Sequence, residues 1–377
     1  MNMKYSIEQL DRFTRYIKNN SYNGKLKLIN MGLGQESAKT LDMIIRKNKK
    51  IKKMYLSHNN LGIILPCHNV IHMSLGANGL SPKQCESFIK SIRYSDTLVS
   101  LDLSSKERVN RNRVTLATSL HLWDLLKTSK VLSFLDLSTL SLGNKGVQKL
   151  CEGITKNTAL CSLSLKNNEL TYEWIDKVSE AILSSNLEHI NLSENPLGDK
   201  GIIQFSTWVA SSRWTIKMLE IEQCGISSIG FATFLHSMKF NGSITSLTVD
   251  KNDLSGRGIH KWKEMLHSNK ILSKLSMVKC NLGDIGASII AKGYYRNNFL
   301  THINLRGNNI GDEGATSIAN HLRGTKKNYL KALNLSNNMI TEMVAIELIK
   351  SANPMDRPVC HLGNLILYKF SSFRQLN

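Results

Sequence analysis

The cysteines of this chain follow no disulfide or metal-binding pattern. There are seven of them, an odd number, and no two are spaced as C-x-x-C. A disulfide framework needs paired cysteines, and a structural zinc site usually takes its thiolates from closely spaced pairs. The sequence therefore predicts reduced thiols, no bound metal and a cytosolic type of compartment.

Long apolar runs are also missing. No stretch reaches the roughly 20 apolar residues that a membrane-spanning helix needs, although 41% of the residues are hydrophobic. The first ten residues are polar and charged, unlike the apolar segment of a secretory signal. We therefore expect no transmembrane segment and a cytoplasmic location.

The short motifs that mark common active sites do not occur in this sequence. It has no phosphate-binding G-x-x-x-x-G-K-[ST], no zinc-binding H-E-x-x-H and no nucleophile-bearing G-x-S-x-G. We accordingly predict that the chain has no catalytic residue and no cofactor, and that it is not an enzyme.

Positive charge is what the chain has in excess. Its 49 Lys and Arg residues outweigh 29 Asp and Glu residues, which gives a formal net charge of +20. The excess is concentrated at the start, because residues 1–130 hold 22 Lys and Arg against 9 Asp and Glu. Such a balance predicts an acidic partner: nucleic acid, an anionic membrane or an acidic protein surface such as a microtubule.

A repeated unit accounts for most of the length. Its clearest copy begins with Leu300, Ile303 and Leu305 as apolar positions, has Asn308 at the ninth place and has Gly314 fourteen places after the opening. Further copies open at Ile51, Val70, Leu98, Leu132, Leu160, Leu187, Ile216, Ile244, Leu272 and Leu330. A regular period of this kind indicates a repeat array, in which each unit packs only on its neighbours.

Each copy has the pattern of a short strand, a turn and a helix. The three apolar positions would face the space between strand and helix, and neither element can bury that side alone, so neighbouring copies must stack. The asparagine comes where the chain leaves the strand, and its amide can satisfy backbone groups that no strand ladder reaches. Cys224 and Cys280 take this place in two copies, and we interpret them as small buried residues.

The pattern L-x-x-L-x-L-x-x-N/C-x-L resembles the leucine-rich repeat, in its ribonuclease-inhibitor-like subtype. The resemblance covers residues 23–350 and is most specific over 132–345. It implies an α/β solenoid of about 11–12 repeats, a horseshoe with a parallel sheet on the concave face and helices on the convex face. It also implies that the concave face or its rims bind other proteins, and it implies no catalysis.

Three segments follow from this assignment. We predict an N-terminal helical cap over residues 1–22, a leucine-rich-repeat array over 23–350 and a C-terminal cap over 351–377. Within the array, residues 23–131 are irregular in repeat length and residues 132–350 are regular. The irregular part coincides with the excess of positive charge.

Two basic clusters lie in this irregular part. The copy that opens at Leu98 has 34 residues, and its extra length holds the basic segment 105–113 with Arg108, Arg111 and Arg113. We interpret this segment as a loop at the rim, which is either solvated or binds a phosphate or an acidic surface. A second cluster near residue 50 has the same two interpretations. Its members are Lys49, Lys50, Lys52 and Lys53.

The outward-facing strand positions contain another candidate partner-binding site. In the predicted concave rows a group of charged residues stands out among small polar ones. Its members are Lys166, Glu220, Glu222, Asp250 and Arg306. The three acids would form an acidic spot between the two basic residues, either as a binding site or as a solvated sheet face. Few aromatic residues occupy these rows, which argues against a tight inhibitor of the ribonuclease-inhibitor kind.

Two weaker resemblances concern function. Stand-alone basic arrays of this subtype are similar to the leucine-rich-repeat proteins of ciliary axonemes, such as the repeat subunit of the dynein regulatory complex. That resemblance implies a non-enzymatic scaffold of the cytoskeleton or cilium that binds tubulin or axonemal proteins. The lack of interleaved aromatic residues argues against nucleic acid as the partner.

The second resemblance gives the alternative function. Ran GTPase-activating proteins also carry a longer N-terminal repeat with an arginine-bearing loop, and the loop 105–113 is similar to it. Where that family has a Gly-Arg pair, this chain has Asn110-Arg111. The resemblance implies that an arginine of the loop would be supplied in trans to a GTPase.

Overall fold

The structure is a computed structural model that describes residues 15–16, 24–62, 69–106, 109–211, 213–295, 297–324, 329–351 and 359–361. The chain divides into two compact units, residues 1–195 and residues 196–377. Most of the predicted N-terminal cap, residues 1–22, and most of the predicted C-terminal cap, residues 351–377, lie outside the described residues.

The first unit alternates short parallel strands with helices. Its described strands are β1 (Lys25–Lys27), β2 (Lys53–Tyr55), β3 (His72–Ser74), β4 (Ser100–Asp102), β5 (Phe134–Asp136), β6 (Ser162–Ser164) and β7 (His189–Asn191). Its described helices are α1 (Gln35–Lys47), α2 (Pro82–Ile92), α3 (Leu116–Thr128), α4 (Gly143–Ile154) and α5 (Ile175–Leu183), with a 3-10 turn at Tyr172–Trp174. Each strand pairs in parallel with the next, so the order of strands follows the order of the chain.

The second unit has the same organisation. Its described strands are β8 (Met218–Glu220), β9 (Ser246–Thr248), β10 (Lys274–Ser276), β11 (His302–Asn304), β12 (Ala332–Asn334) and β13 (Val359–His361). Its described helices are α6 (Gly198–Val209), α7 (Ser228–Met238), α8 (His260–Ser268), α9 (Gly283–Tyr294), α10 (Asp312–Gly324) and α11 (Glu342–Ser351), with a 3-10 turn at Arg257–Ile259. The strands again pair in chain order. The last strand, β13, lies within the segment that the sequence assigned to the C-terminal cap.

The predicted repeats and the observed strands coincide. Every opening residue is followed two places later by the first residue of a strand, from Ile51 and β2 to Leu330 and β12. The middle residue of a strand is buried and its two neighbours are partly exposed, as Ile303 is within β11. The predicted α/β repeat array, with a parallel sheet on one side and helices on the other, is therefore confirmed within each unit.

Asparagines at the ninth place form a ladder of buried hydrogen bonds. Asn168 is typical, because its side chain is fully buried and its Nδ2 atom donates to the carbonyl of Leu137, in the preceding repeat, at 2.8 Å. Its Oδ1 atom accepts from the backbone N–H groups of Leu140 and Leu142, both at 3.2 Å. Leaving a buried backbone group unpaired costs about 1–3 kcal/mol, so each such amide stabilises the junction between two repeats.

Cys224 and Cys280 stand in this ladder in place of asparagine. Both are fully buried, and the thiol of Cys280 donates to the carbonyl of Val249 in the preceding repeat at 3.4 Å. Burial raises the pKa of Cys280 to about 12, so this thiol stays protonated at neutral pH. The environment of Cys280 is that of a packing residue.

Candidate functional site

The long repeat after β4 forms a closed loop whose base is the pair Ser105 and Asn112. The Ser105 hydroxyl accepts from the backbone N–H of Asn112 at 2.8 Å and donates to its carbonyl at 3.1 Å. Between them, Lys106 and Val109 form an antiparallel bridge. The six residues by which this repeat exceeds the usual length are therefore residues 106–111.

Asn112 has the ladder position in this repeat. Its side chain is fully buried. The amide accepts from two backbone N–H groups at 3.1 Å and donates to two carbonyls at 2.9 and 3.0 Å. Sequence reasoning missed this residue, because counting eight places from Leu98 leads to Lys106. If the six extra residues of this repeat are left out, Asn112 falls eight places after Leu98, as the ladder residue does in other repeats. The extra length of the repeat was therefore the signal in the sequence.

The base of the loop also compensates for an asparagine that the next repeat lacks. The ninth place there is Leu140, which has no side-chain acceptor. In other parts of the array the next asparagine accepts from the N–H of the preceding one, as Asn195 does from Asn168 at 2.9 Å and Asn338 does from Asn308 at 2.8 Å. At Asn112 the hydroxyl of Ser105 accepts instead. The insertion therefore leaves this buried N–H satisfied.

The loop is attached to the repeats on both sides of it. On one side, the N–H of Gly79 donates to the carbonyl of Asn110 at 2.6 Å. On the other side, the guanidinium of Arg111 donates to the hydroxyl of Ser141. These contacts hold Arg111 at a defined place on the edge where the strands end.

The arginines predicted for partner binding in this loop are exposed where the structure describes them. The side chains of Arg111 and Arg113 face solvent. Within the described residues neither of them forms an ion pair, so both charges can meet a partner. Arg108 lies outside the described residues.

The structure separates the lysines of the second predicted cluster. Lys49 and Lys50 are exposed in the turn between α1 and β2, and Lys52 is partly exposed at the end of that turn. Lys53, in contrast, is the first residue of β2 and flanks the buried Met54. Its side chain therefore lies on the open face of the sheet, by which we mean the face turned away from the helices.

Lys53 has basic neighbours on the open face that sequence reasoning did not single out. It pairs in register with Lys25 of β1 and with His72 of β3, and Lys27 ends β1 on the same face. Adjacent strands lie about 4.8 Å apart, so these side chains are contiguous. We call Lys25, Lys27, Lys53 and His72 the basic strip. The signal in the sequence was the alternation of the two lysines around the buried Leu26.

The acidic residues nearby are already paired with other cations. Residues 24–75 contain nine Lys and Arg but only two acids, Glu36 and Asp42. Both acids lie on α1 and pair within it, Glu36 with Lys39 and Asp42 with Arg46, each at 2.9 Å. Among the residues that the structure describes, no acid forms an ion pair with the basic strip.

The environment of His72 reflects the positive charge of the strip. Burial lowers the pKa of His72, and the charge of Lys53 on the adjoining strand lowers it further. The neutral form of the imidazole is therefore favoured at pH 7. An anion bound to the strip would act in the opposite direction and raise this pKa.

The predicted acidic spot lies on the open face of the second unit. Glu220 ends β8, and Glu222 and Asp250 lie just beyond β8 and β9. Lys251 forms an ion pair with Glu222, and Asp250 accepts from the N–H of Val278 at 2.8 Å. Burial raises the pKa of Asp250. Glu222 and Asp250 are thus engaged by groups of their own unit.

The two basic residues predicted to flank this spot have different environments. Arg306 is exposed beyond β11 in the second unit, and β10 separates its strand from that of Asp250. Lys166 belongs to the first unit, where it forms an ion pair with Glu194 at 2.9 Å. Because these charges are partly neutralised, the acidic spot is a weaker candidate than the basic strip.

Comparisons with known proteins agree with the repeat. A family model described as Leucine Rich repeat matches residues 183–206 and 296–319. The chain is 25% identical over 252 residues to NACHT, LRR and PYD domains-containing protein 14 of Homo sapiens, which is 57% of this chain and 23% of that protein. It is 23% identical over 277 residues to ribonuclease inhibitor of Mus musculus, which is 64% of this chain and 61% of that protein. The chain thus spans less than two thirds of either relative.

A solved structure shares the fold. A chain in the crystal structure of the Rad7 and Elc1 complex in yeast matches with a TM-score of 0.50 and 13% identity, over 90% of this chain and 86% of that chain. In the part of the chain that the structure describes, no helix has both the length and the apolar character to cross a membrane. The same residues contain no group of three or more His, Cys, Asp and Glu side chains that could hold a metal ion.

Proposed function

Since the chain is a leucine-rich repeat protein of the ribonuclease-inhibitor-like type, we propose that it is a non-catalytic scaffold that binds an acidic protein surface through its first unit. One observation carries this proposal: around β1–β4 a set of basic side chains is presented without acidic partners among the described residues. Desolvated or neutralised charges would contribute little to attraction, whereas exposed charges of one sign steer an oppositely charged partner and set its orientation.

The topology of the first unit places these charges in three groups. All strands of a parallel sheet begin at one edge and end at the other. Lys49 and Lys50 precede β2 and lie at the edge where strands begin, whereas Arg111 and Arg113 follow β4 and lie at the edge where strands end. The basic strip occupies the open face between these edges. A partner could therefore contact all three groups from the same side of the sheet.

We further propose a cytoskeletal or axonemal protein as the partner, with tubulin as the leading candidate, and a cytoplasmic location. A microtubule presents acidic tails at a high local density, which suits a basic scaffold with a net charge of +20. Because exposed charges are screened over about 8 Å at physiological ionic strength, such binding should weaken steeply as salt is added.

Co-sedimentation with stabilised microtubules tests this partner. We expect the purified chain to pellet with microtubules at about 0.15 M salt, and we expect a variant that loses the charges of both edges to bind at least about tenfold more weakly. That variant carries Lys49→Gln, Lys50→Gln, Arg111→Gln and Arg113→Gln. Four exposed cations that already pair with acids on their own helices provide a control with the same change in charge. The control variant carries Lys39→Gln, Arg46→Gln, Lys149→Gln and Lys177→Gln.

The two variants separate specific contact from net charge. If the control variant loses as much binding as the edge variant, the binding depends on overall charge and the assignment of the surface is wrong. If the unsubstituted chain does not pellet with microtubules, tubulin is not the partner. Affinity capture from the native cell with the same pair of variants then identifies proteins whose binding depends on Lys49, Lys50, Arg111 and Arg113.

GTPase activation of the Ran type is a second candidate function. The observation that favours it is the fixed position of Arg111, which is exposed on a loop closed by Ser105 and Asn112 and donates to Ser141 of the next repeat. An arginine that acts in trans must be held in place, because it stabilises charge at one point of the transition state. Such a residue can accelerate GTP hydrolysis by about 10³–10⁵-fold.

Phosphate release by a Ran-type GTPase under single-turnover conditions tests this alternative. We expect stimulation by the unsubstituted chain and a loss of about 10³-fold or more in Arg111→Ala, if Arg111 enters the GTPase active site. Arg113→Ala removes an equal charge from the same loop and should keep most of the stimulation. An unsubstituted chain that leaves the hydrolysis rate unchanged would exclude this function and leave the scaffold role.

A further inference from the structure

We infer that the basic strip binds an extended, carboxylate-rich peptide segment of the partner protein, laid along the strands β1–β3. This inference rests on the proposed function, because it specifies which part of an acidic partner would reach the open face. Lys25, Lys27 and Lys53 are its anchors, and His72 borders the site on the third strand.

The spacing of the anchors favours an extended segment. Lys25 and Lys27 are two residues apart on one strand and lie on the same face, so their Cα atoms are separated by about 6.6 Å. Alternate side chains of an extended peptide have the same separation. A segment that runs along β1 can therefore place one carboxylate over each of the two lysines. Lys53, one strand away, can reach the same carboxylates from the side.

The chemistry of the anchors favours carboxylates over phosphates. Arginine is the residue that best matches phosphate oxygens, because its planar fork donates two parallel hydrogen bonds. The outward-facing positions of β1–β3 hold lysines, a histidine, a tyrosine and a serine, and no arginine. A nucleic-acid site would also need several aromatic platforms for stacking, whereas these positions offer only Tyr55. Lysine side chains lack the planar donor group of arginine, and this surface has only one aromatic side chain. Such a surface suits the single charges of Asp and Glu side chains.

Acidic residues on the following strands limit where the segment can lie. Asp102 of β4 is paired in register with Asp136 of β5. The hydroxyl of Ser74, the last residue of β3, donates to Asp102 at 2.6 Å. A carboxylate-rich segment would be repelled by this pair, so it cannot continue across the sheet beyond β3. The segment must therefore lie along the strands. Strands of three residues leave room for about three or four residues of the segment.

Fluorescence anisotropy with labelled octapeptides tests the inference. The first probe alternates glutamate with glycine, and the second has glutamine in place of every glutamate. We expect only the glutamate peptide to bind, and we expect Lys25→Gln/Lys27→Gln/Lys53→Gln to weaken its binding about tenfold to a hundredfold, since exposed charge pairs contribute up to about fivefold each. The matched control, Lys39→Gln/Lys149→Gln/Lys177→Gln, removes three paired cations from helices of the same unit and should stay within about twofold.

A second measurement reports on the place of binding. His72 lies beside Lys53, so the glutamate peptide should shift the NMR resonances of the His72 ring, which the variant His72→Gln identifies. The glutamine peptide should leave them unchanged. Ring resonances that do not move while the peptide binds would place the binding elsewhere and overturn the inference.

The remaining outcomes separate this inference from the proposed function. The inference is wrong if the unsubstituted chain does not bind the glutamate peptide, or if the two triple variants lose equal affinity. It is also wrong if an eight-residue oligothymidylate binds the strip and the peptide does not, because the occupant would then be nucleic acid. Binding of a protein partner by the two variants gives the last outcome. If Lys25→Gln/Lys27→Gln/Lys53→Gln still binds a partner that the variant of Lys49, Lys50, Arg111 and Arg113 no longer binds, the scaffold function stands and the open-face site is wrong.

Discussion

Replacing Gly258 with alanine should lower the free energy of unfolding by about 3 kcal/mol or more. An added Cβ atom at this position would overlap the carbonyl oxygen of Ser228, the first residue of α7. That oxygen belongs to the backbone and cannot rotate away, so the helical halves of two repeats would have to move apart. The glycine fourteen places after the opening residue is therefore required here by the close approach of neighbouring repeats.

A second glycine in the same unit provides the control. Gly242 lies in the loop before β9, and a Cβ atom added there would have no neighbour within 4 Å. Gly242→Ala should change the free energy of unfolding by no more than about 0.5 kcal/mol. Urea titrations followed by circular dichroism measure both variants. Equal stability of the two would contradict the close approach at Gly258.

The second large effect is expected at Asn112. Asn112→Ala should lower the free energy of unfolding by about 3 kcal/mol, because it leaves two N–H groups and two carbonyls of the backbone without their buried partner. Asn112→Asp keeps the acceptor oxygen but turns a second oxygen towards the two carbonyls, so it should be no better tolerated. The same urea titrations measure both variants.

Two other residues decide whether this effect is specific. Asn186 is exposed and its amide donates a single hydrogen bond, to Thr158 at 3.0 Å, so Asn186→Ala should cost no more than about 1 kcal/mol. Lys106 has the place that simple counting assigns to the ladder, and it is exposed. A larger loss for Lys106→Ala than for Asn112→Ala would show that the ladder residue has been misassigned.

Asn112 also links stability to the proposed function. Its backbone N–H and carbonyl both bind the hydroxyl of Ser105, and this pair closes the loop that carries Arg111. Because four hydrogen bonds fix the side chain of Asn112, this residue fixes one end of the loop. Loops built on a rigid scaffold are the usual carriers of binding residues, because the scaffold sets their position while their sequence can vary.

The repeat was readable from the sequence because its signal is local. Leu300, Ile303 and Leu305 are all buried and Asn308 is fully buried, as their spacing predicts. A strand of three residues whose apolar positions recur in every copy leaves little choice of register, since a slip by one residue would turn every apolar side chain outward. The same reasoning located the strand after each of the eleven openings.

The basic surface was only partly readable, because it depends on which strands become neighbours. Lys49 and Lys53 are four residues apart in the sequence, but one lies in a turn and the other on the open face. Lys25 and Lys53 are 28 residues apart and are paired in register. A run of lysines in the sequence therefore indicates charge, whereas the sheet determines which of these charges face the same partner.

The ion pairs on the sheet were also only partly predictable from the sequence. Lys166 and Glu222 belong to outward-facing positions, as the repeat predicts, yet each has an ion-pair partner at a position that the predicted rows did not include. Glu194 pairs with Lys166, and Lys251 pairs with Glu222. Pairs of this kind depend on turn geometry, because the left-handed backbone at Glu194 and Lys251 sets the direction of their side chains.

By itself, the sequence determined the class of fold, the strand positions and the excess of positive charge in the first third of the chain. These properties depend on spacing and composition, and both are present before the chain folds. The tertiary structure decided how the six-residue insertion is closed, by hydrogen bonds between Ser105 and Asn112, and which strands bring Lys25, Lys27, Lys53 and His72 together on one face. The physical reason is that hydrogen-bond partners and charge neighbours in a repeat array come from adjacent repeats, about 28 residues away along the chain.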